Sequence, residues 1–201
     1  MQEDTYRTIA RQSKGLFKDK GSKFIALAHP VDNETKAKDI LNDLKKQYYD
    51  ARHHCYAWVF QADQSDFRFN DDGEPSGTAG RPIHGQIISH GLTNIIVVVV
   101  RYFGGTKLGV RGLINAYRGA TRDALDQASV VTKTIKNRYE IRFPYEDMNE
   151  VMRLVKEFEL QQESHRFDLS CQLVFSVRQK QANTVEEAFG GINGLKIVRL
   201  K

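Results

Sequence analysis

The sequence predicts a protein of the α+β class with two domains, residues 1–134 and 135–201. Two observations support this prediction. Apolar residues recur with a period of two in some segments and with a helical period in others, so strands and helices alternate along the chain. The alternation typical of a half-buried strand begins again after residue 135, and 201 residues are enough for two small domains.

The composition is that of a globular protein, with 40% apolar residues. The longest apolar run, Ile95–Val100, has six residues, far fewer than the roughly 20 that a membrane helix requires. The N-terminal segment has no apolar core of the kind that signal peptides contain. Cys55 and Cys171 lie far apart in the sequence and make no disulfide framework. We therefore expect a cytoplasmic protein with no membrane partner.

The first half of domain 1 is predicted to contain four strands and one helix. The helix has apolar residues at i, i+3 and i+4 positions and a capping residue at Asn33 or Thr35. The residues Lys20-Gly21-Ser22 have the chemistry of a turn. The predicted strands are Tyr6–Arg11, Lys23–Pro30, His54–Gln61 and Phe67–Asn70, and the apolar helix positions are Ala37, Ile40, Leu41, Leu44 and Tyr48.

The second half of domain 1 contains the clearest local unit, a strand followed by a glycine-rich loop and a long helix. A shorter helix precedes this unit, because Pro82 suits the first turn of a helix, where its missing N–H has no cost. In chain order, the predicted elements are a polar loop over residues 71–80, a helix with Pro82 in its first turn that runs to about His90, strand Asn94–Phe103, loop Gly104–Gly109, helix Val110–Ala128 and strand Val130–Thr134.

Domain 2 is predicted to have the element order βαββαβ of a ferredoxin-like sandwich. The alternation from Phe167 to Val177 is too long for one typical strand, so we predict two strands that turn near Phe167-Asp168. The other predicted elements are a strand at Tyr139–Phe143, a helix with an apolar stripe from Met148 to Phe158, a helix at Val185–Ile192 and a strand at Leu195–Leu200.

Positive charge is concentrated in one segment of domain 1. Residues 1–134 contain 19 Lys and Arg against 15 Asp and Glu, and residues 135–201 contain 11 against 10. Residues 101–122 contain five cations and no carboxylate. Three of these cations share one face of the predicted helix with Asn115, opposite an apolar face. Because the planar arginine fork suits phosphate, we predict nucleic-acid contacts by Arg101, Lys107, Arg111, Arg118 and Arg122. The alternative is an ordinary solvated helix face.

The loop Gly104–Gly109 has the character of an anion site. Its glycines let the backbone approach a ligand closely, and the helix that follows offers unpaired N–H groups at its N-terminus. The spacing matches neither the dinucleotide motif GxGxxG nor the phosphate loop GxxxxGK[ST]. The pattern therefore predicts an anion site and leaves the class of anion open.

The polar loop over residues 71–80 has two interpretations. Asp71, Asp72 and Glu74 have the carboxylates to hold a metal or to act as acid and base, although their spacing differs from that of a calcium loop. The other interpretation is an acidic turn followed by a helix cap. We assign neither a metal nor a cofactor to the chain.

His53, His54 and Cys55 give a weak signal. Neighbouring residues of a strand point to opposite faces, so the three side chains are poorly placed to share one metal. We expect one of the two histidines to face a pocket. Cys55 would need a nearby base to act as a nucleophile, and Cys171, in an alternating strand, is expected to pack in the core.

Three motifs carry a resemblance to a known family. They are HCYA at residues 54–57, DDGEPSGTAGRPI at residues 71–83 and VRYFGGTKLG at residues 100–109. With these motifs in this order, the chain resembles the IMPACT family in its bacterial, YigZ-like form, over roughly residues 18–124. Domain 2 is similar to the small domain that follows in the bacterial members, which resembles a domain of elongation factor G.

The resemblance implies an N-terminal fold like the second domain of a small-subunit ribosomal protein, and a link to translation. The family supplies no accepted catalytic residues, so none is assigned. Its motifs imply a cleft, for which the candidates are His54, Asp72, Glu74, Ser76, Thr78, Arg81, Gly104, Gly105 and Gly109.

Two functions from different classes follow from these observations. The first is a translation-linked regulatory protein that binds structured RNA or the ribosome through the basic helix and the glycine-rich loop. The second is an enzyme that acts on a small phosphorylated ligand bound between residues 71–82 and 104–111. A protein partner of the translation machinery is a further expectation, because a cationic helix also suits acidic proteins, and DNA stays open as a partner.

Overall fold

A computed structural model describes residues 4–200 of the chain. These residues form two compact units. One is Tyr6–Lys133, and the other consists of residues 134–200 together with Asp4 and Thr5. The described residues contain five α-helices and antiparallel sheets, which confirms the predicted α+β class. No helix among them is both long and apolar enough to cross a membrane.

The first unit is built on a five-stranded antiparallel sheet with the order β2-β3-β6-β4-β5. Strands β1 and β7 pair separately as a two-stranded sheet. The strands are β1 (Thr5–Ile9), β2 (Ser13–Asp19), β3 (Ser22–Pro30), β4 (His53–Phe60), β5 (Asp66–Asn70), β6 (Ile95–Tyr102) and β7 (Val130–Thr134). The helices are α1 (Glu34–Gln47), α2 (Gly80–Ser89) and α3 (Gly109–Asp126).

Helices cover both faces of this sheet. The central strand β6 shows the consequence, because Val97 and Val99 pack in one core with α2 and α3, while Ile96 and Val98 pack in a second core with α1. A strand buried on both faces is apolar at every position. The run from residue 95 to residue 100 therefore has no polar alternation.

Strand β2 is not among the predicted elements. It lies at the edge of the sheet, and most of its side chains are exposed or half-buried, so it lacks the apolar alternation of a strand. The turn predicted at Lys20-Gly21-Ser22 is confirmed, since Lys20 and Gly21 have positive φ angles of 44° and 77° between β2 and β3. Helix α3 crosses β2 closely, and a Cβ on Gly15 would lie 2.2 Å from the backbone nitrogen of Ala124.

The second unit has the predicted element order. Its strands form an antiparallel sheet with the order β11-β8-β10-β9, and alternate residues of β10 join α4 and α5 in one core. Strand β9 lies before the predicted turn and is exposed at all six positions, so no periodicity indicates it. The elements are β8 (Lys136–Pro144), α4 (Met148–Glu157), β9 (Gln161–Arg166), β10 (Ser170–Arg178), α5 (Ala182–Gly190) and β11 (Lys196–Leu200).

Candidate functional site

Helix α3 separates its residues into a buried face and a cationic face, as its sequence predicts. Its buried residues include Leu113, Tyr117, Ala120 and Ala124. The residues predicted on the opposite face, Arg111, Asn115, Arg118 and Arg122, are all exposed. The helix therefore uses its apolar face for the core and leaves three guanidinium groups in solvent.

The exposed cations of this region have no carboxylate partners among the described residues. Helix α1 is different, because its lysines form close pairs such as Lys36–Asp32 and Lys38–Glu34. A further exposed arginine, Arg81 of α2, lines a hollow together with Arg118. We call the exposed cations Arg81, Lys107, Arg111, Arg118 and Arg122 the cationic strip. Unpaired charges of one sign raise the local potential that phosphates experience.

Arg101 is apart from the cationic strip. Only 8% of this residue is exposed, and its Nη1 donates a hydrogen bond of 2.5 Å to Oε1 of Glu74. The hydroxyl of Tyr117 donates to the same oxygen at 2.8 Å. The charge of Arg101 is thus compensated inside the fold, which leaves it poorly placed to contact the phosphates of a polymer.

The three carboxylates of the polar loop serve three different partners. Asp71 accepts hydrogen bonds from the backbone N–H groups of Gly77, Ala79 and Gly80 at 2.8 to 3.0 Å. It therefore caps α2, which begins at Gly80, so that Pro82 lies in the first turn of the helix as predicted. The side chain of Asp72 accepts from the backbone N–H of His54 at 2.6 Å. Within residues 4–200, no group of three or more His, Cys, Asp or Glu side chains is arranged to hold a metal.

The two neighbouring histidines have different environments. His54 is buried, its Nε2 lies 3.2 Å from the carbonyl oxygen of Tyr48, and burial lowers the pKa of its imidazole. His53 is the one that lines a pocket, with Nδ1 at 2.8 Å from the carbonyl oxygen of Asp72. That contact requires a proton on Nδ1, because a carbonyl oxygen only accepts.

The remaining cleft candidates are distributed over both loops. Thr78 is buried and its hydroxyl donates to the carbonyl of Pro75 at 2.7 Å, whereas Ser76 is exposed. Gly104 packs on the β2–β3 turn so closely that a Cβ would lie 1.9 Å from the carbonyl carbon of Gly21. Gly105 and Gly109 have φ angles of 89° and 71°, which favour glycine.

The polar loop of residues 71–80 and the glycine-rich loop of residues 104–109 meet at one pocket of about 720 Å³. Glu74 and Pro75 come from the first loop, and the segment 107–110 comes from the second loop and the start of α3. The other walls of this pocket come together through strand pairing across the sheet, which local sequence patterns do not show. They comprise Asp50, Ala51, Arg52, His53, Arg101, Tyr102, Phe103 and Leu113.

Residues 20–125, which contain both the pocket and the cationic strip, match the family model described as the Impact N-terminal domain. The chain belongs to the IMPACT family. It is 39% identical over 138 residues to the IMPACT family member YigZ of Escherichia coli, covering 68% of each chain.

Two further likenesses extend the comparison beyond this relative. The chain is 33% identical over 112 residues to the protein IMPACT homolog of Dictyostelium discoideum, covering 54% of this chain and 32% of that protein. A crystal structure of a hypothetical protein matches it with a TM-score of 0.76 at 29% identity, over 98% of both chains.

Cys55 of this IMPACT-family chain lies in a buried network. Its Sγ is 2.9 Å from the carbonyl oxygen of Asp71 and 3.2 Å from the hydroxyl of Tyr117. Burial strongly raises the pKa of the Cys55 thiol. Since the thiolate is the reactive form, this environment is the reverse of that of an activated nucleophile.

We expect the folded chain to have no fast-reacting thiol at pH 8. Cys55 and Cys171 are both buried, so a disulfide reagent such as DTNB should react slowly with the native protein and rapidly with both thiols in guanidinium chloride. A Cys171→Ala variant isolates the reaction of Cys55. Native Cys55 that reacts as fast as a small free thiol would contradict the inert environment.

Proposed function

We propose that this IMPACT-family chain is a translation-linked regulatory protein that binds structured RNA, including ribosomal RNA in the ribosome, through the cationic strip. The observation that carries the proposal is the single sign of the exposed charges from Lys107 to Arg122, since the carboxylates of α3, Asp123 and Asp126, come only in its last turn. A normal surface helix mixes charges, as α1 does with its i, i+4 pairs. The strip leaves its cations free of carboxylate partners among residues 4–200.

The dimensions of the strip suit a phosphate backbone. Arg111 and Arg122 are eleven positions apart on α3, which corresponds to about 16 Å along the helix axis at 1.5 Å per residue. Arg118 lies between them, and Lys107 precedes the helix in the loop. Arginine binds phosphate with two parallel hydrogen bonds, so three arginines on one face can contact successive phosphates.

The link to translation comes from the family and from the topology of the domains. We assign the first unit to the fold of the second domain of a small-subunit ribosomal protein, as the family resemblance implies. The second unit is assigned to the ferredoxin-like fold, which its βαββαβ order and its sheet order β11-β8-β10-β9 support. Since such folds host many functions, the RNA-binding role depends on the strip and not on the fold.

Binding of a structured-RNA pool and of purified ribosomes at several salt concentrations tests the proposal. If the five cations of the strip each neutralise one phosphate, the logarithm of the affinity should fall against the logarithm of the salt concentration with a slope of about −3.5 to −4.5. Absent or salt-insensitive binding would exclude the proposal. Binding to acidic proteins but not to RNA would indicate a protein partner instead.

The structure gives less support to the enzymatic alternative. Asp71, Asp72 and Glu74 already bind a helix N-terminus, a backbone amide and the Arg101–Tyr117 pair, respectively. These partners leave none of the three as a free general base. Ligand binding, the other part of that alternative, keeps its support, because the pocket between the two loops has the size of a small-molecule site.

A further inference from the structure

The pocket beside the N-terminus of α3 has the general features of a small-molecule site. Its volume of about 720 Å³ lies within the range of roughly 300–1,000 Å³ that is typical of such sites. Much of its wall is apolar, and a few charged groups line the rest, as in most ligand pockets. The apolar walls are Pro75, Phe103, Leu108, Val110 and Leu113.

One end of the pocket is the positive end of a long helix. Helix α3 has 18 residues, and its N-cap residue Leu108 offers no side-chain acceptor to the first N–H groups. These groups have no partner within the helix, and the helix dipole favours an anion beside them. Leu108, Gly109 and Val110 all line the pocket, so a bound anion can reach this end.

Arg101 gives a second, independent indication of an anion. It lines the same pocket, and its residue is 8% exposed. Its Nη1 donates to Glu74, but its buried Nε has no acceptor among the described residues. Buried donors in folded proteins are almost always paired. The Nε atom is itself closed off from solvent, so a ligand would meet this guanidinium group at Nη2, which donates to no described residue.

The charges around the pocket leave a positive balance for the ligand. The carboxylate of Asp50 accepts from the hydroxyl of Tyr102 at 2.8 Å, and Glu74 is engaged by two donors. Arg52 and Lys107 also line the pocket, and neither forms a salt bridge with another described residue. A hydrogen bond from a neutral hydroxyl leaves the charge of Asp50 in place, so the lining has three cations, Arg52, Arg101 and Lys107, against two carboxylates, Asp50 and Glu74.

Phe103 supplies a flat surface at the same site. It is 57% exposed, and the guanidinium carbon of Arg101 lies 5.6 Å from the centre of its ring. An exposed aromatic ring beside a cation is a platform on which a planar ring can stack, whatever its exact identity. The anion end and this platform lie in one pocket, so a single small molecule can use both.

We propose that this pocket binds a small organic phosphate of the mononucleotide type, with its phosphate at the N-terminus of α3 and beside Arg101, and its planar ring on Phe103. The proposal is independent of RNA binding by the cationic strip. A phosphate group matches the helix terminus and the arginine, and the ring matches the apolar wall.

Calorimetric titration of the full chain with the four nucleoside 5′-monophosphates, their nucleosides and inorganic phosphate tests this site. We expect at least one monophosphate to bind with 1:1 stoichiometry and a Kd below about 1 mM, more tightly than its nucleoside or inorganic phosphate. Phe103→Ala should weaken this binding by about ten-fold, the loss expected for one stacked ring. Phe67→Ala is the matched control, because Phe67 is also exposed but lines no part of the pocket.

A test of the end of the pocket that would hold the anion requires a variant that preserves the fold. Arg101→Gln/Glu74→Gln removes both charges of the buried pair together and should abolish monophosphate binding. If this variant loses its native circular dichroism, amide chemical-shift changes at Leu108, Gly109 and Val110 in the unmodified chain give the readout. Arg118→Glu/Arg122→Glu, which lie outside the pocket lining, should leave monophosphate binding intact while weakening RNA binding.

Three results would overturn the proposal. They are no binding of any monophosphate at about 1 mM, a nucleoside that binds as tightly as its monophosphate, and an affinity that both the Phe103 and the Arg101 variants leave unchanged. Each of these results is compatible with RNA binding through the cationic strip, so the two proposals fail separately.

Discussion

Arg111→Glu/Arg118→Glu should reduce binding to structured RNA and ribosomes by at least about a hundred-fold, because each change removes a phosphate contact and adds a repelling charge. Both side chains are exposed and face away from the core, so the fold should be unaffected. The slope of log affinity against log salt should become shallower by about one for each lost contact. Filter binding across a salt series and ribosome co-sedimentation measure both quantities.

The control for this variant has to change the net charge by the same amount at another place. Lys38→Glu/Lys46→Glu does so on α1, where both lysines are exposed and paired with nearby carboxylates. If binding depends on the position of the strip, the α1 variant should keep most of its affinity and its full salt slope. Equal losses in the two variants would show that only the overall charge matters, and the assignment of the strip would be wrong.

Glu74→Leu should lower the free energy of unfolding by about 3–5 kcal/mol, the usual consequence of removing one partner of a buried ion pair. The change leaves the guanidinium group of Arg101 buried without its carboxylate and deprives the hydroxyl of Tyr117 of its acceptor. Urea denaturation monitored by circular dichroism measures the loss. Glu74→Leu/Arg101→Met should recover most of it, because an apolar pair often replaces a buried ion pair without cost.

An exposed ion pair provides the comparison. Lys36 and Asp32 have side-chain exposures of 62% and 61%, so Asp32→Ala should cost at most about 1 kcal/mol. A Glu74→Leu variant that loses as little as Asp32→Ala would mean that the pair with Arg101 is solvated in the protein. In that case Arg101 would rejoin the exposed cations as a candidate for RNA contact.

Local sequence patterns predicted the features that depend only on residues close together in the sequence. The helix α1 begins after Asn33, whose side chain accepts from the N–H of Lys36 at 2.9 Å, and this decides between the two predicted caps. The buried and exposed faces of α3 follow from its 3.6-residue period. Strand β2 was not predicted, because its largely exposed side chains carry no alternation, whereas the strand pair predicted to turn near Phe167-Asp168 is found as β9 and β10.

Local patterns did not predict whether an individual charged side chain is buried or which group it binds. Strand β6 is buried on both faces, and its sequence does not tell whether the charged side chain near its end, Arg101, is solvated or buried. Arg101 can be buried there because Glu74, 27 positions away in the chain, accepts a hydrogen bond from its guanidinium group. The interpretation of residues 71–80 as an acidic turn followed by a helix cap is confirmed, but only the fold shows that Asp71 accepts from the N–H groups of Ala79 and Gly80.

Residue types at short spacing were enough to predict most helices and strands, the cationic face of α3 and the resemblance to the IMPACT family. The folded chain was needed to show which charges are neutralised, that His53 rather than His54 lines the pocket, and that the polar loop and the glycine-rich loop contribute to its walls. The physical reason is that pairing and burial depend on contacts between distant segments, which short-range periodicity does not record.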